Sequence, residues 1–425
     1  MIIEWYCLRM KIKCILFPVV AFAICLIISS SCSEPTKGYE LPSPAPVPSQ
    51  GTDPKPDDPQ TDPEPEGTLC TDIGQTPIVL AYYTENSSEL PDPTLLTHIN
   101  FAHGRFVDTK TGAGGIVIGK DNTKTDDASY VKMLRDVVAL KKQNPALKVL
   151  LMIGGWGKRA DGFSMMARDS GNRTDFCRSV KQKLDTYGLD GVDIDWEYPT
   201  QSADNETAYH VNDKENFILV LKELRETIGT TKIISFASSS SAKYMNWQDA
   251  IKYLDYVNVM TYDMGCAPDR HNSPLYRSAI FNQTSCDESI QKHVSAGVPL
   301  GRMNLGIPYY GKSEKSEPIY KYEVKYNEMY DILNNGYYAA RKSDVKGKNI
   351  RCWDNTAKVP YLTDESGKIV LVYDDPESVA AKGEYVVKKK LLGAMCWEYR
   401  HDDASHSLQK ALVKAIYGKE SVIKQ

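Results

Sequence analysis

Positions 190–199 read Asp190-Gly191-Val192-Asp193-Ile194-Asp195-Trp196-Glu197-Tyr198-Pro199, and four of the first eight residues are acidic. Side chains alternate between the two faces of a β-strand, so Asp193, Asp195 and Glu197 are expected on one face. Val192, Ile194 and Trp196 then share the other face, which indicates that this face packs against a core. The stretch therefore predicts a strand that carries a column of carboxylates.

Such a column indicates a catalytic role and not a packing role. Closely spaced carboxylates cannot all ionise freely, so the pKa values of neighbouring groups are driven apart. One group then stays protonated near neutral pH and can act as a general acid. The alternative is an acidic edge strand with solvated carboxylates, but the apolar residues between the acids argue against that interpretation.

The decapeptide resembles the signature of family-18 glycoside hydrolases, the chitinase family, whose pattern is D-x-x-D-x-D-x-E. Every acidic position is filled, and Tyr198-Pro199 fits the chitinase branch. The resemblance implies a retaining, substrate-assisted mechanism, in which the sugar's own N-acetyl carbonyl attacks the anomeric carbon. Glu197 would be the general acid and later the base, and Asp195 would orient the acetamido N–H. Asp193 would lie one layer deeper and share a proton with Asp195, whereas Asp190 is assigned a structural hydrogen-bonding role.

Further motifs of the same family occur along the chain. Met260-Thr261-Tyr262-Asp263 resembles M-x-Y-D, in which Tyr262 would donate its hydroxyl to the acetamido carbonyl and Asp263 would hydrogen-bond the sugar. Trp397 matches the indole floor beneath the sugar at the cleavage point. The candidate catalytic residues are thus Glu197, Asp195, Asp193 and Tyr262, and the candidate substrate-binding residues are Trp397, Asp263, Met260, Tyr82, Trp156, Tyr309 and Tyr310.

Two positions depart from the family pattern. Met152 replaces the Ser of the third strand's S-x-G-G, which removes a hydroxyl that would help to hold the deeper carboxylate. Lys312 replaces the Arg that follows Gly311, which keeps the charge but loses the fork geometry of a guanidinium. We therefore expect a changed pKa balance between Asp193 and Asp195, with every catalytic group retained.

From about Cys70 onward, short β-branched runs alternate with amphipathic helical stretches such as Ala128–Lys142, Arg173–Tyr187 and Asn216–Ile228. This alternation is typical of βα units. Eight strands of this kind predict an α/β fold, a (β/α)8 TIM barrel with catalytic residues at the carboxyl ends of its strands. The predicted strands are Ile78–Tyr82, His98–Ala102, Lys148–Ile153, Gly191–Glu197, Lys232–Ala237, Tyr256–Thr261, Arg302–Ile307 and Leu392–Trp397.

One connection is too long for a simple barrel. The segment between Gly311 and Leu391 contains further short strand-like runs, where a barrel needs one loop and one helix. It predicts a small α+β insertion after the seventh strand, at about residues 313–388. The family resemblance implies that this insertion forms one wall of a substrate groove.

The first part of the chain predicts export. Lys11 and Lys13 precede the apolar run Ile15–Ile28, and small residues lead to Cys32, as in a secretory signal. A Cys at this place resembles the acylated residue of a bacterial lipoprotein, so Cys32 is the candidate lipid anchor. An ordinary signal cleaved near Cys32 and an uncleaved anchor are the alternatives.

These features divide the chain into three parts. Residues 1–32 are assigned to the signal, residues 33–69 to a Pro- and Asp-rich linker, and residues 70–425 to the catalytic domain. The composition of the linker cannot bury a core and favours extended conformations, so it is interpreted as a tether. The expected location is a bacterial outer membrane, on its periplasmic or cell-surface side.

Composition narrows the function classes further. Against 55 Asp and Glu stand 51 Lys and Arg, a net charge of −4 that argues against a nucleic-acid binder relying on bulk charge. No C-x-x-C or Cys/His zinc spacing occurs, so neither a metal nor a cofactor is expected. Cys266 and Cys286 are the candidate disulfide pair. We expect a monomer that binds a carbohydrate containing N-acetylglucosamine and meets the membrane only through its lipid anchor.

The predicted activity is endo-acting hydrolysis of β-1,4 linkages between N-acetylglucosamine units of chitin or chito-oligosaccharides. An endo-β-N-acetylglucosaminidase that cuts the chitobiose core of N-glycans is one alternative. Tyr198-Pro199 and the insertion favour a chitinase, because specificity resides in loops on a shared fold. An inactive chitinase-like sugar-binding protein is the other alternative, and the presence of Glu197 argues against it.

Overall fold

The computed structural model describes residues 69–84, 89–119, 124–315, 322–329 and 349–423. The predicted signal, the candidate anchor Cys32 and all but the last residue of the predicted linker lie outside these ranges. Within them, no helix has both the length and the apolar composition needed to cross a membrane.

Eight parallel strands close into a barrel, as the sequence predicts. They are β1 (Ile78–Tyr83), β2 (His98–Phe106), β4 (Lys148–Gly155), β5 (Gly191–Trp196), β6 (Ile233–Ser239), β7 (Tyr256–Met260), β8 (Met303–Pro308) and β14 (Gly393–Trp397). β1 pairs with β2 on one side and with β14 on the other, which completes the ring. In this ring β5 and β14 lie opposite each other, four strands apart in either direction.

Strand β2 differs most from its predicted bounds. It continues past Ala102 to Phe106 because its last residues pair antiparallel with a short strand, β3 (Ile116–Ile118). A pairing partner at the barrel rim supplies hydrogen bonds that hydrophobic alternation alone does not reveal.

Helices alternate with the barrel strands. They are α1 (Ala128–Ala139), α2 (Phe163–Arg168), α3 (Ser170–Tyr187), α4 (Asp213–Ile228), α5 (Trp247–Ala250), α6 (Cys286–Ser295), α7 (Pro376–Lys389) and α8 (Ser407–Tyr417). α3 begins three residues before its predicted start, because the Asp169 carboxylate accepts the Asn172 N–H and caps the first turn. The predicted helix 128–142 ends as an α-helix at Ala139 and continues as a 3₁₀ turn.

The alternation of side chains along the strands produces two apolar layers. Val192, Ile194 and Trp196 of β5 belong to the core between strands and helices. A second cluster fills the barrel interior and contains Leu80, Leu150, Met152, Ile233, Tyr256 and Met395. The carboxylate column of β5 points into this interior, as the period of two requires.

A second sheet follows the seventh barrel strand. Its five antiparallel strands are β9 (Tyr310–Lys312), β10 (Glu323–Lys325), β11 (Ile350–Asp354), β12 (Val359–Thr363) and β13 (Ile369–Val372), in the order β10-β9-β13-β12-β11. The sheet therefore begins at Tyr310, before the predicted range 313–388. α7, which that range includes, contacts mainly α8, and also β14 and β8 of the barrel and β12 of the second sheet, so it packs between an outer helix and both sheets.

A buried ion pair connects α7 to the barrel. Lys382 Nζ lies 2.6 Å from Asp374 Oδ1 and donates to Ser273 Oγ at 2.8 Å, and both charged side chains are fully enclosed. Ser273 belongs to the loop after β7, so one lysine ties α7 to the segment before it and to that loop. Partnering of this kind is what allows a charge to persist in the interior.

The predicted disulfide does not form. Cys266 and Cys286 are both free thiols. Cys286 is buried at the start of α6, where its sulfur contacts the Thr261 carbonyl oxygen at 3.3 Å and the Ser273 hydroxyl at 3.4 Å. Sparse cysteines in a large domain do not need to pair, because the core supplies the stability.

The segment Cys70–Ile73 covers the amino end of the barrel. The Cys70 N–H donates to Asp255 at 2.5 Å, and the Thr71 N–H donates to the Thr230 carbonyl at 2.7 Å. His98 Nε2 lies 2.9 Å from the Ile73 carbonyl oxygen. Because Asp255, Thr230 and His98 stand at the amino ends of β7, β6 and β2, the chain enters the barrel on the face opposite the strand ends that carry the acids.

Candidate active site

The three predicted acids of β5 lie inside the barrel, towards its carboxyl end. Their exposed fractions are 0% for Asp193, 4% for Asp195 and 7% for Glu197, so exposure rises towards the strand end. Asp190 lies outside the column: its carboxylate accepts the Val149 N–H at 2.7 Å and pairs with Lys141 at 2.5 Å, which is a structural role.

Asp193 is the deepest acid and accepts three hydrogen bonds. Ser235 Oγ donates to Oδ1 at 2.5 Å and Asn258 Nδ2 to the same oxygen at 3.0 Å, while the Tyr82 hydroxyl donates to Oδ2 at 2.8 Å. Burial raises the pKa of Asp193 to about 6, and the hydrogen bonds oppose that rise. This carboxylate therefore connects β5 to β6, β7 and β1.

A hydroxyl on the strand at the other side of Asp193 takes the place of the one that Met152 lacks. Met152 of β4 is the register partner of Asp193 on one side, and Ser235 of β6 is its partner on the other. The hydroxyl absent at position 152 is thus supplied at position 235. Ser235 and Asn258 were not predicted, although a lone polar residue within an apolar strand, as in Ile233-Ile234-Ser235-Phe236, is a signal of a buried polar partner.

Asp195 and Glu197 have strongly perturbed acidities. Burial raises the pKa of Asp195 well above its usual range, and the charges of Glu197 and then Asp193 add to the rise. Burial also raises the pKa of Glu197, to about 7, against an opposing contact with Tyr198. A carboxyl group with the acidity of Glu197 is partly protonated at neutral pH, as a general acid requires.

The predicted proton sharing between Asp193 and Asp195 is not seen as a hydrogen bond. Both Asp193 oxygens are occupied by the three donors from Tyr82, Ser235 and Asn258. Among the residues that the structure describes, Asp195 Oδ1 is buried and has no hydrogen-bond partner. An unsatisfied buried carboxylate oxygen is costly, so this atom is available to a donor on a ligand.

Trp397 faces the acids from across the barrel. It ends β14, opposite β5, and its ring centroid lies 5.4 Å from that of Tyr82. Tyr262 and Met260 belong to the same inner cluster as these two rings. Burial raises the pKa of Tyr262 well above its usual range, so its hydroxyl keeps its proton and can donate it in a hydrogen bond.

Asp263 is held by two groups from the start of the second sheet. Its Oδ1 accepts the Tyr310 hydroxyl at 2.6 Å and lies 2.6 Å from Lys312 Nζ. The Asp263 side chain is 52% exposed, whereas that of Lys312 is 10% exposed. Lys312 therefore holds Asp263 through a single nitrogen, without the fork geometry of a guanidinium.

Three predicted sugar contacts have other partners. Tyr309 is completely buried in the outer core, and its hydroxyl donates to Gln409 at 2.8 Å, so its prediction as a substrate-binding residue is wrong. Tyr309 lies between β8 and β9 and packs into the outer core, whereas Tyr310 belongs to the inner cluster. Tyr310 and Tyr82 do face it, but both are buried and act by holding Asp263 and Asp193 respectively.

An aromatic wall borders the other side of Glu197. Trp156, just after β4, is 49% exposed and donates its indole N–H to Asp204 at 2.9 Å. Its ring lies 6.3 Å from that of Tyr198, which stacks on Tyr244 at 4.3 Å and an interplanar angle of 7°. Tyr244 was not predicted, because its loop carries no family motif and its partner is distant in sequence.

Metal binding receives no support from the described residues, where no three His, Cys, Asp or Glu side chains are grouped so that they could hold an ion.

Comparisons with known proteins agree with this geometry. A model of glycosyl hydrolases family 18 matches residues 78–402. The alignment with chitinase A1 of Niallia circulans is 415 residues long, gaps included, and 30% identical. It covers 80% of this chain and 57% of that protein. Chitinase B of Serratia marcescens is 26% identical over 392 residues, 75% of each chain. The chain thus spans just over half the length of chitinase A1.

Solved structures with a similar fold agree with these sequence comparisons. The group IV chitinase of Ostrinia furnacalis superposes with a TM-score of 0.67 at 25% identity, covering 80% of this chain and 99% of that one. The family 18 N-acetylglucosaminidase of Paenibacillus barengoltzii gives a TM-score of 0.64 at 29% identity, with coverages of 80% and 99%. The chain therefore belongs to glycosyl hydrolase family 18.

Proposed function

We propose that the protein cleaves β-1,4 linkages between N-acetylglucosamine units of chitin or chito-oligosaccharides, within the sugar chain and with retention of configuration. The observation that carries this proposal is the column Asp193, Asp195 and Glu197, with a protonated acid at the strand end and an unpartnered carboxylate oxygen beside it. Chemistry that uses the substrate's own acetamido group as nucleophile needs these two groups side by side.

In the first step Glu197 gives its proton to the glycosidic oxygen. With a pKa of about 7, a large share of Glu197 is protonated at neutral pH and nearly all of it at lower pH. The acetamido carbonyl oxygen attacks the anomeric carbon as the C–O bond breaks, which forms a cyclic oxazolinium ion. The Tyr262 hydroxyl donates to the acetamido oxygen, and Asp195 Oδ1 accepts the acetamido N–H.

In the second step the Glu197 carboxylate takes a proton from water, whose oxygen attacks the anomeric carbon and opens the ring. The configuration is inverted twice and so retained. Positive charge on the oxazolinium favours the ionised form of Asp195, although burial and neighbouring acids oppose ionisation in the free enzyme. Catalysis therefore gains from a charge interaction that becomes favourable only as the reaction proceeds.

Two considerations favour chitin over the chitobiose core of an N-glycan. The second sheet adjoins the site directly, since β9 supplies Lys312 to Asp263. The curated relatives reported above are named chitinases. Because one structural relative is named an N-acetylglucosaminidase, the test must also separate internal cleavage from release of single sugars.

Product analysis tests the proposal. The wild-type protein and its Glu197→Gln variant are incubated with chitopentaose and, in parallel, with an N-glycosylated protein. We expect disaccharide and trisaccharide as first products from chitopentaose, and none from the variant. Initial release of the monosaccharide alone would contradict internal cleavage, release of N-glycans would move the activity to glycoproteins, and binding without cleavage would indicate a sugar-binding protein.

We also propose that the chain is exported and anchored by a lipid on Cys32. The support is the order of features in the sequence: two lysines, the apolar run Ile15–Ile28, small residues and then Cys32. The Pro- and Asp-rich residues 33–69 would separate the anchor from the barrel.

A further inference from the structure

Arg159 lies beside the catalytic acids although no family motif includes it. It belongs to the 3₁₀ turn Gly157–Ala160, directly after β4. Its side chain folds back over the strand end: a Cβ added to Gly155 would lie 3.2 Å from Arg159 Cδ and 3.6 Å from Met152 Cε. Gly155 is the register partner of Trp196, the residue before Glu197.

Within the described part of the chain, the Arg159 guanidinium has no hydrogen-bond or ion-pair partner. The side chain is half-buried, and among the described residues no hydrogen bond or ion pair joins it to a carboxylate, hydroxyl or carbonyl group. The charge of Arg159 nevertheless acts on both Asp195 and Glu197 and opposes the effect of burial on their pKa values. A guanidinium carries five donors in a fixed fork, and those of Arg159 are left to water or to the acceptor oxygens of a ligand that enters the site.

The position of Arg159 identifies which part of a substrate it meets. In the proposed mechanism the cleaved sugar contacts Asp195, Tyr262 and Trp397, and its leaving oxygen meets Glu197. Trp156 lies on the Glu197 side, since its ring is 6.3 Å from that of Tyr198, and it is exposed and three residues before Arg159. Tyr262 follows β7, which is separated from β4 and this turn by β5 and β6 in the ring.

We propose that Arg159 is a specificity residue for the leaving sugar, and that its guanidinium donates hydrogen bonds to the hydroxyl or acetamido oxygens of that sugar. This inference rests on the proposed function. It assigns recognition of the leaving group to a guanidinium next to the acid, in addition to the aromatic surface of Trp156. A substrate whose leaving group is not a sugar would not engage it.

Two substrates with the same chitobiose unit on the cleaved side test the inference. Chitotetraose releases a chitobiose leaving group, whereas 4-methylumbelliferyl chitobioside releases a coumarin that carries no sugar oxygens. Arg159→Gln should lower kcat/KM for chitotetraose by about 10- to 100-fold, the worth of hydrogen bonds to a charged group. For the coumarin substrate the same variant should stay within about threefold of wild type, and Arg159→Lys should recover part of the loss.

Arg178→Gln is the matched control, since Arg178 lies on the outer helix α3 with its side chain 73% exposed. Thermal unfolding of each variant checks the fold. An equal loss on both substrates, with a shifted pH profile, would overturn the inference and assign Arg159 to the acidity of the carboxylates. No loss on either substrate would also overturn it. If the wild-type protein cleaves neither substrate, the proposed function itself fails, which is distinct from either outcome.

Discussion

Glu197 combines three properties: it directly follows a barrel strand, it is buried, and its pKa is raised to about 7. If its protonated form is the general acid, kcat/KM should fall above about pH 7. Glu197→Gln should lower kcat by about 10²- to 10⁴-fold, the usual contribution of general acid–base catalysis. A pH–rate profile with chitotetraose measures the first effect, and an alkaline limb above pH 9 would exclude Glu197 as the titrating acid.

The same group also links stability to pH. A folded-state pKa of about 7, against an ordinary value of 4.5, means that the folded protein binds the proton more tightly than the unfolded chain. The stabilisation is complete below the unfolded pKa and is lost as pH rises through about 7. Glu197→Gln should therefore raise the free energy of unfolding relative to wild type, by up to about 3 kcal/mol above pH 7.

Urea unfolding of wild type and Glu197→Gln at pH 4 and pH 8 measures this difference. The two proteins should be close in stability at the lower pH and should diverge at the higher one. An equal difference in the free energy of unfolding at both pH values would mean that ionisation of the buried Glu197 carboxyl group is not its cause.

Ser235 supplies the hydroxyl that Met152 lacks, so we expect its removal to weaken the hydrogen bonding of Asp193. Ser235→Ala deletes the 2.5 Å hydrogen bond to Oδ1 and should cost about 1–3 kcal/mol of stability. The second change Met152→Ser should recover part of that loss, because position 152 flanks Asp193 from the opposite strand. Unfolding of both single variants and the double variant measures the coupling, and strict additivity would argue against a shared partner.

At the scale of elements, α7 depends on one buried pair. Lys382→Met leaves Asp374 in the interior without its cation and should destabilise the protein by about 3–5 kcal/mol. Adding Asp374→Asn removes the uncompensated charge and should restore much of the stability. Chemical denaturation of the two variants provides the measurement, and a double variant no more stable than Lys382→Met would show that the ion pair is not the cause.

The elements could be predicted where a local pattern decides them. The period of two in residues 190–197 placed β5 and its acids correctly, and all eight barrel strands were found from apolar runs. The extension of β2 was missed because it depends on pairing with β3, which is set by tertiary contacts.

The site residues, too, could be predicted only where a local motif identifies them. Tyr309 was predicted wrongly because a motif containing two adjacent tyrosines does not say which one faces inward. Ser235, Asn258, Tyr244 and Arg159 were not predicted, since their importance arises from neighbours on other strands. The barrel brings these residues to one place from four separate parts of the sequence.

For the whole molecule, the lipid proposal makes a direct prediction. The full-length chain, expressed in a bacterial host fed labelled palmitate, should carry the label and partition into the detergent phase. Cys32→Ala should abolish both, because no other residue can take the lipid at that position. Persistent labelling of the variant would place the acylated residue elsewhere.

Cys70–Ile73 enters the barrel at the amino ends of β2, β6 and β7, so the entry point and the acids stand on opposite faces. Cys70 therefore leaves the barrel away from the opening around Glu197. A long sugar chain can reach the acids without crossing the segment Cys70–Ile73, so substrate entry and chain entry do not compete for the same face of the barrel.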